Sequence, residues 1–160
     1  MVGERSFKEA TERMHWIVIA CKVLRDPKPT IYAYQMYSCL LLHNEYILEA
    51  SQVLEVAKDL AHETQNLAQE MICFELIGKV LQGRAEFRLA KIAFKKMLQL
   101  AWLTRIQDYE YRAYAEIAKQ YFYLQKIDKS KEYHMKALNG QLEKLDNPER
   151  LISEDQYRKK

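Results

Sequence analysis

A spacing of 40 residues, held in one register along the chain, limits what this sequence can fold into more than any other feature. Phe74, Ile77, Gly78 and Leu81 are apolar or small residues at steps of three and four, the mark of one helix face. Moved forward by 40 they become Tyr114, Ile117, Ala118 and Tyr121; moved back, Tyr34, Tyr37, Ser38 and Leu41. A second set behaves alike. Phe7, Ile47, Phe87 and Ile127 share a column, as do Ala10, Ala50, Ala90 and Ser130. Met14, Leu54, Phe94 and His134 form a third, and Ile17, Ala57, Met97 and Ala137 a fourth. Two amphipathic helices per period, repeated, imply a stacked array of helical hairpins. With four glycines, three prolines and no sustained strand-like alternation, the fold class is all-α. Gly78 costs roughly 1 kcal/mol of helix propensity against Ala, so close helix packing is its expected reason.

The columns divide the chain into residues 6–25, a half repeat with only the second helix, then repeats at 31–70, 71–110 and 111–146. Hairpin turns are expected near His43 to Tyr46, Gly83 to Glu86 and Gln125 to Asp128. Ser6-Phe7-Lys8-Glu9 has the spacing of a capping box, Thr30 is placed to cap the first helix of repeat 1, and Asp108 that of repeat 3. Asn147-Pro148 opens a last stretch, 147–160, expected as a C-terminal capping helix with a polar outer face. The unpaired first helix favours an excerpt from a longer protein. Trp16 and Trp102, each among apolar neighbours, are expected in the core between repeats.

At 160 residues the chain has the length of one domain. The 25 basic and 22 acidic residues are interspersed, which argues against a nucleic-acid or membrane-surface protein. No run approaches the roughly 20 apolar residues needed to span a bilayer. The start, MVGERSFKEATER, has no apolar signal core, so a cytoplasmic setting is expected. Cys21, Cys39 and Cys73 then read as reduced, buried thiols. His15, His43, His62 and His134 are scattered without ligand spacing, so no metal site is expected. Neither a phosphate loop, a Ser-His-Asp set nor a paired-carboxylate signature appears. No catalytic residue and no cofactor are therefore assigned, and the chain does not read as an enzyme.

The columns resemble the tetratricopeptide repeat. Phe74, Ile77-Gly78, Leu81, Phe87, Ala90, Phe94 and Met97 match it best, and the third repeat closes on EYHMKAL. The usual period is 34; the period of 40 resembles the long-repeat subclass of spindle-orientation, receptor-clustering and ciliary scaffolds. The resemblance implies a right-handed α-solenoid whose first helices line a concave groove. Residues off the packing columns then face a ligand: Tyr32, Gln35, Cys39, Leu42 and His43; Ile72, Glu75, Lys79 and Gln82; Arg112, Ala115, Lys119, Phe122 and Tyr123. This mixture suits a peptide or helix of a protein partner, with Lys79, Arg112 and Lys119 available to acidic side chains. The family's carboxylate clamp is not expected, since Gln35 and Cys39 stand where its Lys and Asn would be. The implied function is a non-catalytic scaffold. The rival is a structural spacer in an axonemal or transport assembly, working through its edges and convex back, with cytoskeletal or ciliary association.

Overall fold

Among the described residues, six short turns, each built around one left-handed residue, decide the architecture. Arg25, Glu45, Gln65, Ala85, Arg105 and Gln125 have φ between 52 and 66° and follow one another every 20 residues. The computed structural model describes residues 2–146, without the side chains of Val2, Glu4 and residues 142–146. The turns separate α1 (Val2–Val23), α2 (Pro27–His43), α3 (Ile47–Glu63), α4 (Leu67–Gly83), α5 (Phe87–Thr104), α6 (Gln107–Tyr123) and α7 (Ile127–Asp146). Among the described residues there is no strand.

The same pair of hydrogen bonds closes each of the last five turns. After α4, Ala85 N–H donates to Gln82 O at 3.0 Å and Glu86 N–H reaches back to Leu81 O at 2.9 Å. The pairs at Glu45 and Tyr46, Gln65 and Asn66, Arg105 and Ile106, and Gln125 and Lys126 repeat it. This is the Schellman arrangement, and the residue after it begins the next helix. Glycine usually occupies the left-handed position, but none does here. Gly83 ends α4 two residues before that position.

Several expected caps fall elsewhere. Ser6 lies inside α1, its hydroxyl donating to Gly3 O, so no capping box forms. Asp26 caps α2, accepting from Lys28 N–H at 3.1 Å. Pro27 and Pro29 lie in the first turn, where missing N–H groups cost nothing, so the helix starts ahead of Thr30. Thr30 is buried inside α2. Ile106, not Asp108, is the N-cap of α6; Asp108 and Glu110 sit in its first turn, favourable to the helix dipole. The expected capping helix at 147–160 lies outside the described residues.

Successive helices pack against each other, and α2 also meets α4 directly. The first helices of the hairpins (α2, α4, α6) thus make one layer and the second helices (α3, α5, α7) the other. The columns supply the core. Ala50, Leu54, Ala57, Ala90, Phe94 and Met97 have no exposed surface. A Cβ built at Gly78 would stand 2.6 Å from the Phe94 ring, so α4 and α5 approach as closely as only a glycine allows. Gly140 plays the same part under Tyr111, whose ring would lie 1.8 Å from an added Cβ. Ser130, polar at a core column, is buried with its hydroxyl donating to Ala118 O at 2.9 Å. His134, in the Phe94 column, is exposed. Trp16 and Trp102 are not core: they are 69% and 52% exposed.

Two stability outcomes follow from this geometry. Gly78→Leu should cost about 1 to 3 kcal/mol or more, since Phe94 is enclosed and cannot swing away; a melting temperature equal to the parent's would refute the close approach. Ala85→Gly should add about 0.5 to 1 kcal/mol, because relief of left-handed strain exceeds the added entropy of the unfolded chain. Urea denaturation of the two variants beside the parent measures both.

Candidate partner-binding groove

The face shared by α2, α4 and α6 carries an exposed row above a buried polar floor. Tyr32, Cys39 and His43 on α2, Lys79 on α4, and Arg112, Lys119, Phe122 and Tyr123 on α6 are all exposed. Gln82 is half-buried. Gln35 and Glu75, expected in the same row, are buried at 4% and 5% exposure, so they support the face and do not present themselves on it.

The floor is tied across the helices. Gln35 Nε2 donates to Gln69 O at 3.0 Å and to Cys73 Sγ at 3.3 Å, joining α2 to α4. One step along, the Glu75 carboxylate receives the Arg112 guanidinium of α6 and lies 3.4 Å from Lys79 Nζ. The Arg112 guanidinium also sits 4.8 Å from the centre of the Tyr109 ring. Two cations on one buried carboxylate leave a net positive charge at the surface of the cluster. Further along, Gln120, fully buried, donates to Gln82 Oε1 at 2.7 Å. Lys119 pairs with Glu116 at 2.8 Å. Every basic residue singled out in the sequence is therefore already paired within the chain, and a ligand's carboxylate would have to share or displace those partners.

The aromatic end lies at the C-terminus of α6. Tyr123 stacks on Phe87 with ring centroids 4.6 Å apart, and Phe122 meets Tyr123 edge-on at 6.1 Å. Phe122, 59% exposed, is the more open of the two. At the other end, Tyr32 is joined by Met36, also exposed and absent from the expected row.

The thiols differ from expectation. Cys73 is buried but Cys39 is exposed and Cys21 half-buried. Burial pushes the Cys73 thiol up to about 11, opposed by the Gln35 hydrogen bond. Desolvation also raises Cys39, with Lys79 opposing and Glu75 assisting. Both stay protonated near neutrality and are poor nucleophiles.

On the opposite layer, Trp102 and Leu103, at 52% and 69% exposure, form an apolar outcrop at the end of α5. Beside it, the Tyr114 hydroxyl of α6 donates to Glu110 at 3.2 Å. Among the described residues no helix is long and apolar enough to cross a membrane, and no cluster of three potential metal ligands occurs.

Solved structures with the same shape share little sequence with this chain. The TPR domain of Arabidopsis FLU is 19% identical, aligned over 74% of this chain and 98% of that one, with a TM-score of 0.65. BtubC from P. vanneervenii reaches a TM-score of 0.81 at 15% identity, over 88% of this chain and 58% of its own. A protein of P. anserina described as a kinesin light chain with nearly identical TPR-like repeats is 13% identical, with a TM-score of 0.70 over 88% of this chain and 69% of that one. The chain has the fold of a tetratricopeptide-repeat array. No family model and no curated relative matches the sequence. At these identities the likeness is one of fold, and the all-α, TPR-like solenoid expected from the columns is what the chain forms.

The cluster around Glu75 should be felt in stability. Arg112→Ala leaves a buried carboxylate with only the more distant Lys79 and should cost about 1 to 3 kcal/mol. Lys119→Ala breaks an exposed pair and should cost under about 1 kcal/mol. Equal midpoints for the two variants in urea would mean that Arg112 contributes nothing to the floor.

Proposed function

We propose that this TPR array is a non-catalytic interaction module that holds a peptide or helix of a protein partner along the face of α2, α4 and α6. It is read as a half repeat followed by three hairpins, and as a segment of a cytoplasmic scaffold with cytoskeletal or ciliary association. The kinesin light chain description of one structural neighbour accords with that setting.

The observation that carries the reading is the separation of floor from rim. Gln35 Nε2, the Glu75 carboxylate and Gln120 Nε2 are bonded inside the chain, while Tyr32, Lys79, Arg112, Lys119 and Phe122 stand exposed above them. A face whose floor is tied from helix to helix is rigid, so a ligand orders few groups on binding. The aromatic rim offers stackable area, and the surplus positive charge at Glu75 favours acidic side chains near Arg112.

A second reading rests on Trp102 and Leu103. Exposed large apolar residues on the outer layer suit a spacer that assembles through its back.

The two readings are separated by binding partners recovered from the native source. Lys79→Glu with Phe122→Ala should weaken the captured partner at least about tenfold in titration calorimetry, a loss of about 1.4 kcal/mol, while Trp102→Ala leaves it unchanged. The reverse pattern would overturn the groove and establish the back as the interface.

A further inference from the structure

Charges that are interspersed along the sequence are sorted by the fold. Helices α3 and α5 hold equivalent places in the second layer, 40 residues apart, and turn the same arc of positions to solvent. On α3 that arc carries Glu49, Glu55, Asp59 and Glu63, all exposed. The equivalent positions of α5 hold Leu89, Lys95, Gln99 and Leu103. Every acid has become apolar, neutral or basic, and α5 contains no acidic residue at all. Arg88, Lys95 and Lys96 on the arc, and Arg105 in the turn that follows, are exposed and form no ion pair among the described residues. Leu89, Ile92, Trp102 and Leu103 share the arc, each at least half exposed. At 3.6 residues per turn, the positions from Trp102 round to Leu89 span about 140°. The other side of α5 is core, packed between α4 and α6, so this arc lies in the middle of the array and not at an end.

We propose that the outer arc of α5 docks the array on an anionic lipid surface, its cations at the headgroup phosphates and Ile92, Trp102 and Leu103 in the interface. A face of unpaired cations with no acid among them is complementary to such a surface. The order along the helix favours lipid over an acidic protein. Lys95 and Lys96 stand at the centre of the patch, between Leu89 with Ile92 and Trp102 with Leu103. Protein interfaces are poor in Lys at their centres, where the ammonium would lose its water. At a bilayer the Lys stem lies along apolar surface while the ammonium reaches phosphate, and Trp sits at headgroup level. Nucleic acid would leave the four apolar side chains against phosphates. The acidic arc of α3 is repelled by the same surface, which makes α5 the leading helix. The groove of α2, α4 and α6 lies on the other layer, so an array docked by α5 keeps its ligand face turned to water.

Sedimentation of the whole chain with lipid vesicles tests this. The protein should bind vesicles of equal parts phosphatidylserine and phosphatidylcholine, ignore phosphatidylcholine alone, and be released as salt is raised. Lys95→Glu with Lys96→Glu should lower the partition coefficient at least about tenfold. Leu103→Ser, at a position too exposed to affect folding, should lower it with the charge unchanged, and Lys79→Glu in the groove should leave it as it is. In a Trp16→Phe chain, the emission of Trp102 should move to the blue on binding. Circular dichroism should show equal helix content in every variant. No binding to the mixed vesicles, or equal binding to both lipids, would overturn the proposal. So would a partition untouched by the lysine pair or by Leu103→Ser. Retention on immobilised polyglutamate without vesicle binding would overturn it as well and assign the arc to an acidic protein segment. None of these results bears on Lys79 and Phe122 in partner titrations, so the groove reading stands or falls separately.

Discussion

The structure depends on how closely two helices can approach within a hairpin, and the contact of Phe94 with Gly78 sets that distance. Phe94 has no exposed surface, and its ring occupies the space a Cβ would need. The equivalent residues in the flanking hairpins are Leu54 with Ser38 and His134 with Ala118. The small partner is thus kept within Gly, Ala and Ser, while the large one varies. Because each hairpin touches only its neighbours, such local fits are what an array has in place of one central core. Among the described residues the core divides accordingly into three clusters, the largest running from Met71 through Phe94 to Tyr121.

Turn geometry then converts local fit into a period. Helices α2, α3, α4 and α6 are each 17 residues long, and the three residues that follow complete a unit of 20. A left-handed residue at a constant place in each turn sends every new helix off in the same relation to the last. That this place is filled by Arg, Glu, Gln and Ala shows the surrounding hydrogen bonds overriding a local preference. The 40-residue register in the sequence is two of these units.

Much of this was legible because periodicity reports which side of a helix packs. Ile77, Ala90, Phe94 and Met97 are in the core as their columns require. What periodicity does not report is how deeply an off-column residue is covered. Gln35 and Glu75 lie on the ligand-facing side of the wheel, yet Gln69 O from α4 and Arg112 from α6 close over them. Those partners are 34 and 37 residues away and leave no local trace. Caps were misplaced for the opposite reason. Ser6, Thr30 and Asp108 have good capping chemistry, but Ser6 and Thr30 lie inside α1 and α2, Asp26 caps α2 instead, and the turn closed at Ile106 starts α6 before Asp108. Trp16 and Trp102 sat among apolar neighbours in sequence, which says nothing of direction on a helix. Gly140 does leave a trace in the sequence: Leu60 and Leu100 share its column, and Ile31 and Met71 share that of Tyr111. A larger residue on one side was matched by a smaller one on the other.

The polar floor resolves a difficulty inherent in stacked apolar columns. Apolar contact is non-directional, so two helices of this composition could pack at several offsets with little difference in energy. A buried carboxylate removes that freedom, because Glu75 is satisfied only where Arg112 reaches it. Gln35 with Gln69 and Cys73, and Gln120 with Gln82, impose the same condition on either side of it. These ties therefore act on register more than on net stability: each fixes one first helix against the next. The exposed residues above them inherit that spacing. The distance from Tyr32 to Lys79 to Phe122, and so the shape of whatever can lie along the face, is set by hydrogen bonds the ligand would never touch.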